Sequence, residues 1–297
     1  MTSKQLVQTA IPGWQGRLAA HHVGYLADGH VHRAVPYNAT DPKVVAKKLE
    51  LMQSDGVDIV IETWQGVYAQ SCNSDAGLTA AMCVEFGMQF MLLFDPWCAK
   101  LSAAGETSPS TANVAASLAA ASTQAILNSS AYVPEKYVLD FNTGASLSIL
   151  GAQFPSLKFL AMNQGFSWIS IPTITDSPLR NVAAVSNLAA QHANPVMKVA
   201  SFCSSFDDSG MPLPAGVSTQ AAFDAAGGQR DLTQSVWGGP ARILESFVGE
   251  FALQQLATIP ATMPIIAILT WDDYDEQSSG PREKIVAEEQ NVNWSLL

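Results

Sequence analysis

Six consecutive residues, Trp271, Asp272, Asp273, Tyr274, Asp275 and Glu276, hold four carboxyl groups and two aromatic rings. Carboxyl groups deliver and accept protons. Aromatic rings offer flat surfaces to sugars. Asp273 and Glu276 are three residues apart, so a helical turn would put both side chains on one face. Two carboxyl groups flanking a glycosidic bond are the usual requirement for its hydrolysis. One protonates the leaving oxygen and the other assists attack at the anomeric carbon. The two need different pKa values, set by burial and neighbours. A solvated acidic turn or a calcium loop has a similar composition, but the EF-hand spacing with its glycine is missing.

Other acids and amides stand where apolar runs end: Glu62 with Trp64, Asp95 with Trp97, Asp140 with Asn142, and Asn163 with Gln164. Asp207 and Asp208 follow another run. Each alone reads as a helix cap or turn residue. Their repetition, often beside a ring, points to a site that binds hydroxyl groups. The residues expected to contact substrate are His22, Glu62, Trp64 and Asp95, then Asp140, Asn163, Trp271 and Tyr274. Asp273 and Glu276 are the expected catalytic pair. A rival constellation is Asp28-Gly29-His30-Val31-His32, which fits the D-x-H-x-H pattern of metal-dependent amidohydrolases. That chemistry needs further ligands after later strands. His192 is the remaining histidine, and it lies near the end of a helical segment. No metal and no cofactor is therefore expected. His21 and His22 alternate faces, so one of them faces the interior.

The elements that must position these groups alternate. Apolar runs at 17–24, 57–61, 88–94, 137–139, 158–162, 196–202 and 264–270 read as strands, with a short further strand at 235–237. Helical segments fall at 41–55, 74–86, 111–127, 146–153 and 179–192, and 239–256 contains a long one. Asp41 and Pro42 open the first of these, and Gly56 closes it. Continuous apolar strands separated by helices imply parallel strands covered on both faces. About eight such units predict a single (β/α)₈ TIM barrel spanning 1–297, whose site lies at the C-terminal ends of the strands. An open doubly wound sheet is the alternative, but no glycine-rich phosphate loop follows the first strand. The stretch around 209–228 reads as a long loop on the rim.

Bulk composition excludes partners more than it selects one. The 297 residues are 48% hydrophobic and 14% charged, enough for one large core. A net charge of -11 argues against nucleic acid and against anionic membranes. A neutral or cationic small molecule, or a neutral polymer such as a carbohydrate, fits better. No apolar run approaches the roughly 20 residues of a membrane helix, and no signal peptide is expected in this numbering. Cys72, Cys83, Cys98 and Cys203 lack CxxC spacing, which disfavours structural zinc and leaves disulfides and buried thiols both open.

Trp271-Asp272-Asp273-Tyr274-Asp275-Glu276 resembles the W-N-[DE]-[YFW]-x-E signature of glycoside hydrolase families 71, the α-1,3-glucanases, and 99, the endo-α-mannosidases. Ala20-His21-His22-Val23-Gly24 is similar to the early histidine-containing strand of the glucanases. Tyr37 to Pro42 and Met52 to Asp58 resemble the first helix and second strand entry of both families, and Phe94-Asp95 a third strand ending. The resemblance implies hydrolysis of an α-linked polysaccharide or oligosaccharide in an extracytoplasmic setting. Asp273 would assist attack and Glu276 would be the general acid. Asp272 stands where these families usually have Asn, so a catalytically inactive carbohydrate-binding barrel is the alternative.

Overall fold

A computed structural model describes residues 1–22, 41–64, 66–67, 76–94, 110–141, 144–168, 177–203, 206–207, 243–244, 250–269 and 271. The chain opens with helix α1 (Ser3–Ala10), which the reading of apolar runs passed over. Its signature is a capping box: Thr2 Oγ1 accepts from Gln5 N–H, and the Gln5 side chain accepts from Thr2 N–H. Strand β1 (Arg17–His22) follows, then α2 (Pro42–Ser54) and β2 (Ile59–Trp64). Asp41 caps α2 by accepting from Lys43 N–H at 2.9 Å, and Gly56 ends it at φ +87°. Next come α3 (Ala76–Phe86) and β3 (Gln89–Phe94). The helix expected at 111–127 is two helices, α4 (Thr111–Ala119) and α5 (Ala121–Leu127). Ala120 leaves the helical region with ψ 141°, and the Gln124 side-chain amide donates to Leu118 O at 2.7 Å in place of a backbone donor.

The chain continues through β4 (Tyr137–Asp140), α6 (Leu147–Gln153), β5 (Lys158–Ala161), α7 (Ser177–His192) and β6 (Val199–Phe202). A two-residue antiparallel pair, β7 (Phe206–Asp207) with β8 (Ile243–Leu244), stands apart from the main sheet. Ile243 and Leu244 are therefore extended, not part of the long helix expected over 239–256. The helix described there is α8 (Glu250–Leu256). The last strand is β9 (Ile265–Ile268). The long loop expected at 209–228 lies outside the described residues.

Seven strands form one parallel sheet in the order β5-β4-β3-β2-β1-β9-β6. This is an α/β arrangement of the TIM-barrel type. Strand residues such as Ile59, Val60 and Ile61 are fully buried on both faces. Each buried aliphatic side chain of this size contributes about 1.5–3 kcal/mol. β6 and β9 are direct hydrogen-bonded neighbours. The strand expected at 235–237 lies outside the described residues. No helix among the described residues is long and apolar enough to cross a membrane.

α1 docks beneath the start of the sheet. Lys4 Nζ donates to both carboxylate oxygens of Asp58 at 2.8 and 2.7 Å, and Leu18 N–H donates to the same carboxylate. The polar break at Asp58, just before β2, thus anchors both α1 and β1. Ser3 Oγ donates to the buried Asp55 carboxylate. Close approach explains Gly16: a Cβ there would lie 2.6 Å from Trp14 Nε1 and 2.7 Å from the carbonyl oxygens of Met263 and Pro264.

Phe166 links the two edges of the sheet. It bridges to Met162 after β5 and to Val199 at the start of β6, both in parallel sense. Ser167 N–H donates to Val199 O at 2.8 Å, and Lys198 N–H donates to Gly165 O at 2.7 Å. Ser167 Oγ lies 2.9 Å from His192 Nε2 and accepts from Ser201 N–H. His192 Nδ1 lies 2.9 Å from Thr258 Oγ1. One imidazole thus ties α7, the linking segment, β6 and the end of α8. Burial pushes the His192 pKa down from 6.5 to about 4. The unfolded chain binds a proton near pH 6.5, whereas the folded chain resists it until about 4. Stability should be full above pH 6.5 and fall between 6.5 and 4, by on the order of 3 kcal/mol. Urea unfolding of the wild type and His192→Gln across that range checks this: the histidine's share of the slope should vanish in the variant.

Candidate functional site at the mouth of the sheet

Alternation assigns each strand side chain to one of two faces. The concave face is identified by contacts that skip strands. Arg17 on β1 donates from Nη1 to Gln89 Oε1 on β3 and from Nη2 to Glu135 Oε1 before β4, each at 2.6 Å. At the opposite end of the strands, the Trp168 ring meets His21 from β1 at 5.4 Å and Phe141 after β4 at 5.0 Å. Arg17, Ala19 and His21 therefore look inward. Leu18, Ala20 and His22 look outward, toward the helices.

The inward residues at the C-terminal ends of the strands form a compact group. His21 Nε2 lies 2.7 Å from Thr63 Oγ1. Trp168 meets His21, Phe141 and Phe166 at interplanar angles of 75–78°. Each contact is the edge-to-face arrangement that ring quadrupoles favour. His21 is buried, while Thr63, Phe141 and Trp168 are half-buried. The group offers aromatic surface, a hydroxyl and an imidazole, with no fixed charge.

Glu62 and His22 fall on the other face. The sheet register sets them side by side, and His22 Nδ1 lies 2.8 Å from Glu62 Oε2. Both side chains are almost fully enclosed, at 3% and 2% exposure. The contact sets an imidazole nitrogen against a carboxylate oxygen at hydrogen-bond distance. Glu62 also makes itself felt at Cys83 of α3. Burial raises that thiol's pKa far above the usual range, and the Glu62 charge adds to the rise. Cys203 is pushed up to about 12 by burial, against a lowering hydrogen bond from Gln255. Both thiols are free and, being protonated, poor nucleophiles. Trp64 shares the helix-facing side and packs on Phe94 at 5.1 Å. Asp140 is buried on that side too.

The expected site residues are therefore sorted by geometry. His22, Glu62, Trp64 and Asp140 share the face toward the helices. Asn163 is apart from them. It is exposed, takes φ +65° in the turn before Phe166, and its carbonyl accepts from Asn194 Nδ2 in the loop that enters β6. Trp271 is fully buried directly after β9, and its N–H donates to His21 O at 2.8 Å. Its indole Nε1 has no hydrogen-bond partner. Asp95, Tyr274, Asp273 and Glu276 lie outside the described residues, as do His30 and His32. His192 is committed through both ring nitrogens to hydroxyl groups. Among the described residues no cluster of three or more His, Cys, Asp or Glu could hold a metal ion. Thr63 and Phe141 were passed over at the level of sequence, while Trp168 is one of five tryptophans, with Trp64, Trp97, Trp237 and Trp271, of which the sequence favours Trp64 and Trp271 for the cleft. Their signal is positional: Thr63 and His21 occupy alternate positions that carry the inward face past the apolar residues.

No protein-family model matches the sequence, and no curated protein matches it. Solved structures do. An endo-α-mannosidase of glycoside hydrolase family 99 from Bacteroides thetaiotaomicron superposes with a TM-score of 0.56 at 10% identity, over 90% of this chain and 87% of that one. The same organism's family 99 endo-α-mannosidase in complex with bis-tris-propane gives 0.56 at 11% identity, over 95% and 97%. A glycoside hydrolase-like protein gives 0.56 at 8%, over 94% and 95%. The chain shares its fold with family 99 glycoside hydrolases. The resemblance drawn from Trp271 to Glu276 thus reached the group of proteins that the fold reaches independently.

Glu62→Ala should unfold far more readily than wild type, because His22 stays buried without its carboxylate. Loss of a buried hydrogen bond to a charged group costs about 1.5–3 kcal/mol. Denaturant titration measures it. Should Glu62→Gln instead keep wild-type stability and alter only substrate binding, the helix-facing placement of Glu62 is wrong.

Proposed function

We propose that this protein is a glycoside hydrolase that cleaves an α-linked polysaccharide or oligosaccharide with Asp273 and Glu276. The observation that carries this reading is the bond from Trp271 N–H to His21 O. It fixes the first residue of the acidic run beside the inward group at the strands' C-terminal ends, where sites of this architecture lie. Covalent reach then keeps Asp273 within roughly 7 Å of Trp271 along the chain. Shared fold with proteins named endo-α-mannosidases supports the same reading.

Glu276 would protonate the leaving oxygen and Asp273 would assist attack at the anomeric carbon. We read the sheet as a closed (β/α)₈ barrel in one domain, with 165–167 supplying the eighth position. Tyr274 and Asp95 would contact the sugar from the rim. The neutral, aromatic and hydroxyl-bearing inward group suits an uncharged substrate, and the chain's net charge of -11 disfavours an anionic one. No cofactor enters the mechanism.

Glu276→Gln should lose about 10²–10⁴-fold in kcat on natural glycosides. The loss should be smaller on aryl glycosides, whose leaving groups need little protonation. Asp273→Asn should impair both substrate kinds. Near-normal turnover by both variants would remove this pair from the mechanism. Sugar binding without turnover by the wild type would instead favour the carbohydrate-binding barrel, with Asp272 in place of Asn as its mark.

A further inference from the structure

Three rings hold Trp168 at the mouth of the sheet. His21, Phe141 and Phe166 each meet it edge-to-face, at 5.4, 5.0 and 5.8 Å between centroids. It belongs to neither the acidic run nor the expected site residues. The contacts fix its orientation, yet the indole stays half-buried while Phe166 and His21 are enclosed. A large apolar ring left partly open beside polar groups is an aromatic surface available to a ligand.

The polar partner is Thr63. Its hydroxyl lies 2.7 Å from His21 Nε2, and the same imidazole packs on Trp168. A hydroxyl donates once and accepts twice, so the bond to His21 leaves capacity for a ligand hydroxyl in either histidine tautomer. His21 thus contacts both the aromatic surface and the hydroxyl, and brings them to one place at the strand ends. Among the described residues, Trp168, Thr63 and His21 offer a phosphate no cationic partner such as Lys or Arg, which disfavours phosphorylated sugars here. The backbone oxygen of His21 also holds Trp271, which ties this floor to the acidic run.

Resting on the glycosidase reading above, we infer that Trp168 and Thr63 form the floor of a pyranose subsite. The Trp168 indole packs on the C–H face of one neutral sugar ring of the α-linked substrate. The Thr63 hydroxyl, positioned by His21, hydrogen-bonds a hydroxyl of that same ring. Both residues set affinity for an unreacting part of the sugar, so their loss raises KM more than it lowers kcat.

The test is calorimetric titration of Glu276→Gln, expected to slow turnover about 10²–10⁴-fold, with an α-1,3-gluco-oligosaccharide and with an α-manno-oligosaccharide. The same titrations are repeated with Trp168→Ala, Trp168→Phe and Thr63→Val added. Trp168→Ala should weaken binding at least tenfold, Trp168→Phe should restore part of it, and Thr63→Val should weaken it about fivefold or more. A loss of this kind corresponds to a hydrogen bond or ring contact of ordinary strength. Circular dichroism confirms that each variant is folded. If Trp168→Ala cannot fold, Trp168→Phe and Thr63→Val carry the test, and unchanged affinity in both overturns the inference. Unchanged affinity in a folded Trp168→Ala also overturns it, while the glycosidase reading stands. Absence of binding or turnover of either sugar by the wild type overturns the reading and the inference together.

Discussion

Parallel pairing of β1 with β2 on one side and β9 on the other is the constraint from which the rest of the structure follows. Four register pairs join it to each neighbour. Together they decide that His21 faces inward with Thr63, and that His22 faces outward with Glu62. A slip of one residue would exchange the two histidines and move every partner with them. The adjacent imidazoles would then have opposite tasks. The buried His22–Glu62 pair resists such a slip, because neither group has water to fall back on.

Below this pairing the inner face is closed by polar contacts, and above it by rings. Arg17 reaches to Gln89 and Glu135 at the strands' N-terminal side. α1 covers the same end through Lys4 and Asp58. At the other end Trp168 spans from Phe141 to His21. Among the described residues, polar contacts thus mark one end of the sheet and aromatic rings the other. The link through Phe166 matters in the same sense. Between β5 and β6 the ladder narrows to single bridges, and side chains of Ser167, His192 and Thr258 reinforce what few backbone bonds hold.

Fold kinship with family 99 glycoside hydrolases is clear over nearly the whole chain, while identity is 8–11%. At that distance the shared property is the arrangement of strands. Barrels of one architecture host many chemistries, because the strands make a scaffold and the segments after them make the site. In the proposed reading, function turns on the few residues that follow β9 and on what the inward group beside them can bind.

The sequence by itself determined the element types. Unbroken apolar runs specified parallel strands, and Asp41, Pro42 and Gly56 bounded α2, because burial on two faces and helix capping are local requirements. The acidic run after the last strand was legible for the same reason: composition and position along the chain suffice. Tertiary structure alone decided the strand order, with β9 between β1 and β6. It alone chose His21 over His22, and brought Trp168 to the mouth while Glu62 and Trp64 turned to the helices. Such choices depend on register, and register is set by partners far away in the chain. Two adjacent histidines carry no mark of which will face the core until another strand lies beside them.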